Sequence, residues 1–393
     1  MSDSPFPPTS QGHFSEQTMP VARKLLILSA APGYGGAERS VETIVSHLPD
    51  YFEVHVLAES GMHIEALAAC GHSGLIVHRV DTRDGEMLAQ AAFTLMSVWI
   101  RVQPDVIIAN TYDSARILSR ARRLLPEIDR KAFIYVRDFL WGSIDRLLAR
   151  LPNAAIIVPH EVVLERPGYL TRTAADGRRV YIMPDMAIVE PDAPPHSTGA
   201  GPMLHLATVN PWKGHSDLLE AVAEIHRRGI SMQVTSHGWA ADGALKQEIE
   251  SAAAARGIGR VFVLKDHVPD PRPLIRDSVA VLVTSVSHSG GPETFGRTVI
   301  EAWAQRRPVI AYSAGAPGRL IRHETDGLLV QEGNSVALAE AMCRLHSSPS
   351  LQNDLGSAGY ERVQREFSAP LVVERLLRLL LHPETRIKRD PDP

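Results

Sequence analysis

Two carboxylates eight residues apart, Glu293 and Glu301, stand in the most informative stretch of the chain, residues 289–330, SGGPETFGRTVIEAWAQRRPVIAYSAGAPGRLIRHETDGLLV. Glu293 falls in a glycine-rich loop just after an apolar, strand-like run at 279–284, and Glu301 falls inside the helix that follows, read over 296–305. The first turn of that helix, from about Phe295 and Gly296, leaves backbone N–H groups unpaired and presents a positive dipole end, a setting that binds an anion. In that geometry Glu293 reaches a polar ligand at the helix mouth, while Glu301, farther along, accepts hydrogen bonds from a diol lying beside the helix. A pair of solvated glutamates is the plain alternative. A second glycine-rich turn, Gly33-Tyr-Gly35-Gly36-Ala-Glu38, resembles a dinucleotide fingerprint but carries Glu38 where the third glycine belongs. It offers either free amides at a helix start or simply a tight turn needing positive φ.

Other chemistries are excluded by pattern. No Gly-Lys-Ser/Thr occurs, so a phosphate-binding loop of the NTPase kind is absent, as are zincin, Cys-x-x-Cys and nucleophile-elbow motifs. The acidic pair Asp390 and Asp392 lies in a terminal RDPDP segment, where nothing fixes two carboxylates around a metal.

The elements that position these groups repeat. The chain has 393 residues, 44% of them hydrophobic and 22% charged, which is enough to bury two cores. Its formal net charge of −4 gives no basic balance for nucleic acid, and two cysteines are too few for a disulfide framework or a zinc cage. Apolar runs at 24–31, 54–58, 75–80, 105–109, 132–136 and 154–158 alternate with amphipathic helical stretches. A segment dense in Pro, Gly, Ser and Thr follows, and then a second strand and helix series runs from 204–209 to 308–311. The pattern predicts an α/β protein of two doubly wound, Rossmann-like halves facing across a cleft. The expected divisions are a disordered tail at 1–22, an N-terminal Rossmann-like domain at 23–183, and a linker at 184–202. A second Rossmann-like domain at 203–366, a helix at 367–382 crossing back to the first domain, and a charged tail at 383–393 complete the division. The tail lacks the apolar core of a signal peptide and no run is long enough to span a bilayer, so a cytoplasmic protein is expected.

The combination P-E-T-F-G-x-x-x-I-E-A, followed by R-P-V-I-A and G-L-L-V, resembles the retaining GT-B glycosyltransferases, most closely glycosyltransferase family 4. That resemblance implies a GT-B fold and a nucleoside-diphosphate-sugar donor, a UDP- or GDP-sugar, with no other cofactor and no metal. It implies that Glu293 contacts hydroxyls of the donor sugar, that Glu301 holds the ribose, and that amides around Thr294, Phe295 and Gly296 meet the diphosphate. The segment Val209-Asn-Pro-Trp-Lys213-Gly214 resembles the family's lysine motif, which gives Lys213 the departing diphosphate. Five residues earlier the family carries an arginine and this chain has Thr208, so Arg297 is a candidate substitute cation, or else an exposed helical arginine. Gly35 and Gly36 would face the diphosphate across the cleft, and His267 would lie beside the nucleobase. Arg137 stands where the family commonly has a histidine near the reacting carbon. It either serves the donor phosphate or acceptor, or forms a surface salt bridge with Asp138. The acidic residue usual after the family's Gly-Gly is missing from Gly315-Ala-Pro-Gly318.

The implied reaction is sugar transfer to an acceptor hydroxyl with retained configuration, in polysaccharide, lipopolysaccharide or glycoconjugate synthesis. An epimerase, a phosphorylase and a catalytically impaired nucleotide-sugar binder are the alternatives. Acceptor recognition belongs to the N-terminal half. There residues 114–150 carry nine basic side chains against four acidic ones, and Arg116, Arg120 and Arg123 share a helical face with Leu118, Leu124 and Leu125 nearby. That stripe is either a solvated face or a peripheral contact with an anionic membrane bearing a lipid-linked acceptor.

Overall fold

The computed structural model describes residues 23–142, 144–170, 177–191, 201–240, 243–288 and 290–383. Residues 1–22, residues 192–200 of the Pro/Gly/Ser-rich segment and residues 384–393 therefore lie outside the described residues. Two all-parallel sheets organise the chain. The first runs in the order β3-β2-β1-β4-β5-β6-β7, with β1 Arg23–Ser29, β2 Phe52–Ala58, β3 Leu75–Arg79, β4 Val106–Ala109, β5 Ala132–Tyr135, β6 Ala155–Val158 and β7 Val180–Ile182. The second runs β10-β9-β8-β11-β12-β13, with β8 Met203–Leu206, β9 Val234–His237, β10 Phe262–Lys265, β11 Ala280–Val283, β12 Val309–Tyr312 and β13 Leu328–Val330. Strands such as β4, β5, β6, β11 and β12 are buried along their whole length, as continuous apolar runs covered on both faces must be.

Each sheet reverses its strand order once, between β1 and β4 and between β8 and β11. Loops leaving the carboxyl ends of strands on either side of a reversal diverge and leave a crevice, so these four loops are where a ligand belongs. Two short strands escape the sequence pattern. Both β7 and β13 have three residues and lie at the edge of their sheets, too short for a period to register.

The helix carrying Glu301, Arg297–Ala304, is anchored from behind. Trp303 is wholly buried, its indole N–H donates 2.8 Å to the Asp326 carbonyl, and the helix Pro349–Glu366 packs against it at Gly359. The last helix, Ala369–Leu381, buries Val372, Val373, Leu376, Leu379 and Leu380 in one cluster with Leu25 and Ile27 of β1. No described helix is long and apolar enough to cross a membrane.

Candidate active site

The loops that follow β1, β8, β9, β10 and β11 meet around one cavity of about 240 Å³, lined among others by Gly35, Gly36, Thr208, Lys213, His267, Glu293, Arg297 and Glu301. The loop after β8 turns through a short 3₁₀ segment, Pro211–Lys213, and Gly214 closes it at φ 73°, where a Cβ would lie 2.0 Å from the Thr284 carbonyl oxygen. Only glycine fits that approach, and the resulting turn delivers Lys213 to the Glu293 loop that follows β11. Lys213 Nζ lies 2.5 Å from Glu293 Oε1 and 3.9 Å from the centre of the Trp212 ring. Ser285 Oγ donates to the same Glu293 oxygen at 2.8 Å. Burial alone would raise the Glu293 carboxyl, but the Lys213 charge and hydrogen bond, with Ser285, bring it below the usual carboxylate range. From behind, Ala316 N–H donates 3.0 Å to the Glu293 carbonyl. Gly315, at φ 56°, leaves no room for a Cβ against that same carbonyl, 2.5 Å away. The segment that lacks the expected acid thus serves as a buttress for Glu293.

Glu301 is built in the same way. Its Oε1 takes Arg297 Nε at 2.7 Å from one turn back on its own helix, and Arg39 Nη2 at 2.8 Å from the opposite domain. Among the described residues nothing hydrogen-bonds Oε2 of either glutamate, so each carboxylate keeps one oxygen for a ligand. The helix between them begins after Gly296, and the amides of Phe295, Gly296 and Arg297 donate to no described acceptor. At the far end of the cavity, Trp239 stacks on His267 with ring centres 5.0 Å apart at 19°, and Tyr34 meets His267 edge-on at 6.0 Å. Burial, and next the Arg39 charge, lower the His267 pKa, which favours the neutral ring.

The structure revises several expectations. Gly35 is extended, at φ −160°, and Gly36 is the first helical residue, so the turn is not a positive-φ device. Its geometry is set by Glu38, buried, whose carboxylate accepts from Gly35 N–H at 2.8 Å and whose pKa burial raises. Arg297 is not an exposed helical arginine. It crosses the cleft to donate to the Gly36 carbonyl at 3.1 Å and to Ser40 Oγ at 2.6 Å. Arg137 makes no surface pair with Asp138; it lies over the Tyr135 ring and pairs with Asp185 at 3.0 Å and Asn110 at 2.7 Å. It sits behind the cavity wall and is absent from the lining, with Nη2 buried and unpartnered among the described residues. Phe295 contributes backbone only, because its ring is buried against Phe367. Thr294 lends its hydroxyl to the Arg137 carbonyl and so fastens the helix mouth to the first domain. Thr208 lines the cavity as an uncharged group accepting from Asn210 at 3.0 Å. On the arginine stripe, Leu118 is fully buried, Leu125 is half-buried and Arg116 is tied to Asp113, so only Leu124 stands out beside Arg120 and Arg123.

Arg39, Tyr34, Trp239, Ser285 and Asp185 were not singled out by sequence. Arg39 carried a signal, since it follows the glycine turn within the first helical turn and so faces the same side. Asp185, inside the aperiodic segment, carried none.

Two parallel-sheet domains of one topology, with a charged cleft at both strand reversals, define a GT-B protein. Residues 192–362 match the model of the glycosyl transferases group 1 family. The lipopolysaccharide core biosynthesis glycosyltransferase LpsE of Rhizobium meliloti is 28% identical over 168 residues, 43% of this chain and 46% of that protein. The human alpha-1,3/1,6-mannosyltransferase ALG2 is 36% identical over 132 residues, 34% of this chain and 31% of that one. Each match spans less than half of the relative's length. The fold is shared with Anabaena HepE, solved in complex with UDP and glucose, at a TM-score of 0.74 and 18% identity over 92% of this chain and all of that one. It is also shared with a glycosyltransferase of Rickettsia africae, at a TM-score of 0.73 and 16% identity over 93% of this chain and 99% of that one.

Proposed function

We propose that this protein transfers a sugar from a nucleoside diphosphate to an acceptor hydroxyl with retention of configuration, as a family 4 enzyme of polysaccharide or lipopolysaccharide synthesis. The observation that carries the reading is the convergence on one cavity of two half-satisfied carboxylates, a lysine and a run of free helix-start amides. A diphosphate at the helix mouth accepts from the amides of 295–297 and from Lys213, while Glu293 Oε2 takes sugar hydroxyls and Glu301 Oε2 takes the ribose. Trp239 and His267 offer a stacking face for the base at the cavity's end. Bond cleavage leaves an oxocarbenium-like sugar and a diphosphate whose growing charge Lys213, the amides and Arg297 stabilise. The acceptor hydroxyl attacks from the side the diphosphate leaves and gives its proton to the leaving phosphate. These fixed positive groups supply the charge a divalent metal otherwise brings, so turnover is expected to survive chelation.

The acceptor side of the reading rests on the N-terminal domain. A larger cavity of about 600 Å³, lined by Pro32, Glu59, Arg83, Met87 and Gln90, opens at the carboxyl ends of β1 to β3 on the other flank of the glycine turn. Phe93 and Leu124, each about 60% exposed, flank Arg120 and Arg123, a surface suited to an anionic membrane carrying a lipid-linked acceptor. The test is a thermal-shift screen of UDP-, GDP-, ADP- and dTDP-sugars, then NMR of the anomeric proton in the first product released. A ligand at 100 times its Kd raises stability by about 2.7 kcal/mol. An inverted product refutes retention, no stabilising donor refutes the whole reading, and binding without turnover leaves a nucleotide-sugar binder.

A further inference from the structure

We infer that Arg39, from the N-terminal domain, is a positioning residue that makes ribose recognition by Glu301 conditional on closure of the cleft; this rests on the proposed ribose role of Glu301. Glu301 is nearly enclosed, its side chain 10% exposed, and Oε1 is saturated by two guanidinium groups of different origin. Arg297 belongs to the same helix and travels with Glu301. Arg39 belongs to the helix Gly36–Ser46, seated on the other sheet through Val41, Ile44 and Val45, so its 2.8 Å contact exists only with the domains together. With both arginines on Oε1 the carboxylate plane is fixed and Oε2 is the oxygen left for a diol. With Arg297 alone the carboxylate is free to turn, and either oxygen can face the arginine.

The Asp270 carboxylate is near enough to sense the Arg39 charge but is paired with Arg272 instead. Glu301 is its sole ion-pair partner among the described residues, although Tyr34 and His267 stand near enough to sense its charge. The closing contacts made by Arg297 with Gly36 and Ser40, and by Thr294 with Arg137, do not involve Arg39. Removing it therefore leaves the domains able to meet and separates orientation of Glu301 from closure itself.

The experiment is calorimetric titration of UDP, GDP and their 2′,3′-dideoxy analogues into the full chain and into Arg39→Gln, Arg39→Lys and Glu301→Gln, with thermal melting to confirm folding. The unsubstituted protein should prefer the ribose nucleotide over its dideoxy analogue by roughly 10-fold or more, within the 5- to 150-fold span usual for coupled sites. Glu301→Gln should erase most of that preference. Arg39→Gln should erase it too, by weakening the ribose nucleotide while leaving the dideoxy analogue nearly unchanged, and Arg39→Lys should keep much of it. If Arg39→Gln weakens both nucleotides equally, Arg39 only attracts the diphosphate and the inference is overturned; no change in either overturns it as well. If Glu301→Gln retains the full preference, the ribose role of Glu301 falls first. If neither nucleotide binds the unsubstituted protein, the donor reading fails and takes this inference with it.

Discussion

Replacing Lys213 with the near-isosteric methionine removes one charge and leaves the shape, which lets stability and catalysis be read apart. In the folded chain the lost Nζ leaves Glu293 Oε1 with only Ser285, in surroundings that favour the protonated acid. Orphaning one partner of a fully buried ion pair costs about 3–5 kcal/mol. Here the side chains are 16% and 21% exposed, so roughly 2 kcal/mol is the appropriate scale, or about 4–8 °C in Tm for a domain of this size. Catalysis suffers separately, since deleting one preorganised donor to developing charge typically costs about 10²- to 10³-fold. The double variant Lys213→Met/Glu293→Gln removes the orphaned carboxylate and should recover most of the lost Tm, yet its donor turnover should stay at least about 100-fold down. Turnover is followed as nucleoside diphosphate released at saturating donor. A Lys213→Met enzyme that turns over at the unsubstituted rate, or a double variant that regains it, would refute the reasoning.

Three further outcomes follow from the same structure. Gly214→Ala places a Cβ at φ 73° against the Thr284 carbonyl and should destabilise the C-terminal domain by about 2 kcal/mol or more while displacing Lys213; calorimetric melting and donor KM check it. His205 and His215 are buried in edge-on contact 4.7 Å apart beneath Lys213, hydrogen-bonded through Ser236 and Thr284. Burial first, and then the Lys213 charge, lower the His215 pKa from 6.5 to about 4, while burial and its neighbour His215 hold His205 well below the usual value. The unfolded chain takes these protons near pH 6.5 and the folded chain resists them. Stability is therefore full above that pH and falls on acidification towards pH 4, by roughly 3 kcal/mol from His215 alone. A Tm unchanged between pH 7 and pH 5 contradicts this. Finally, Arg120→Glu/Arg123→Glu should abolish co-sedimentation with vesicles rich in anionic lipid while leaving donor hydrolysis intact; unaltered sedimentation eliminates the membrane contact.

Much of the architecture was legible because parallel strands buried on both faces read as unbroken apolar runs, and the glycine turns mark where they enter helices. The positions of Glu293, Glu301 and Lys213 along the chain placed them on loops and a helix at carboxyl ends of strands, and the fold brings all three to one cavity. What stayed hidden depends on the second domain. Arg297 looked like a surface residue because its partners, Gly36 and Ser40, are more than 250 residues away in the chain. Arg137 was read as serving the donor phosphate or acceptor, or else as pairing with its neighbour Asp138, whereas the fold sets it behind the cavity wall and supplies Asp185 from the aperiodic segment after β7. A helical face cannot be ranked as surface from spacing alone, which is why Leu118 was grouped with exposed arginines although helix packing buries it. Thr208 and Gly318, read as gaps in a motif, are a cavity wall and part of a buttress.

The most direct test is a crystal structure of the full chain soaked with the nucleoside diphosphate that stabilises it most. Diphosphate density is expected at the amides of residues 295–297, within hydrogen-bond reach of Lys213 Nζ, with the ribose hydroxyls on Glu301 Oε2. Density in the larger cavity beside Glu59 and Arg83, or a diphosphate that leaves the Lys213 ammonium untouched, would contradict it.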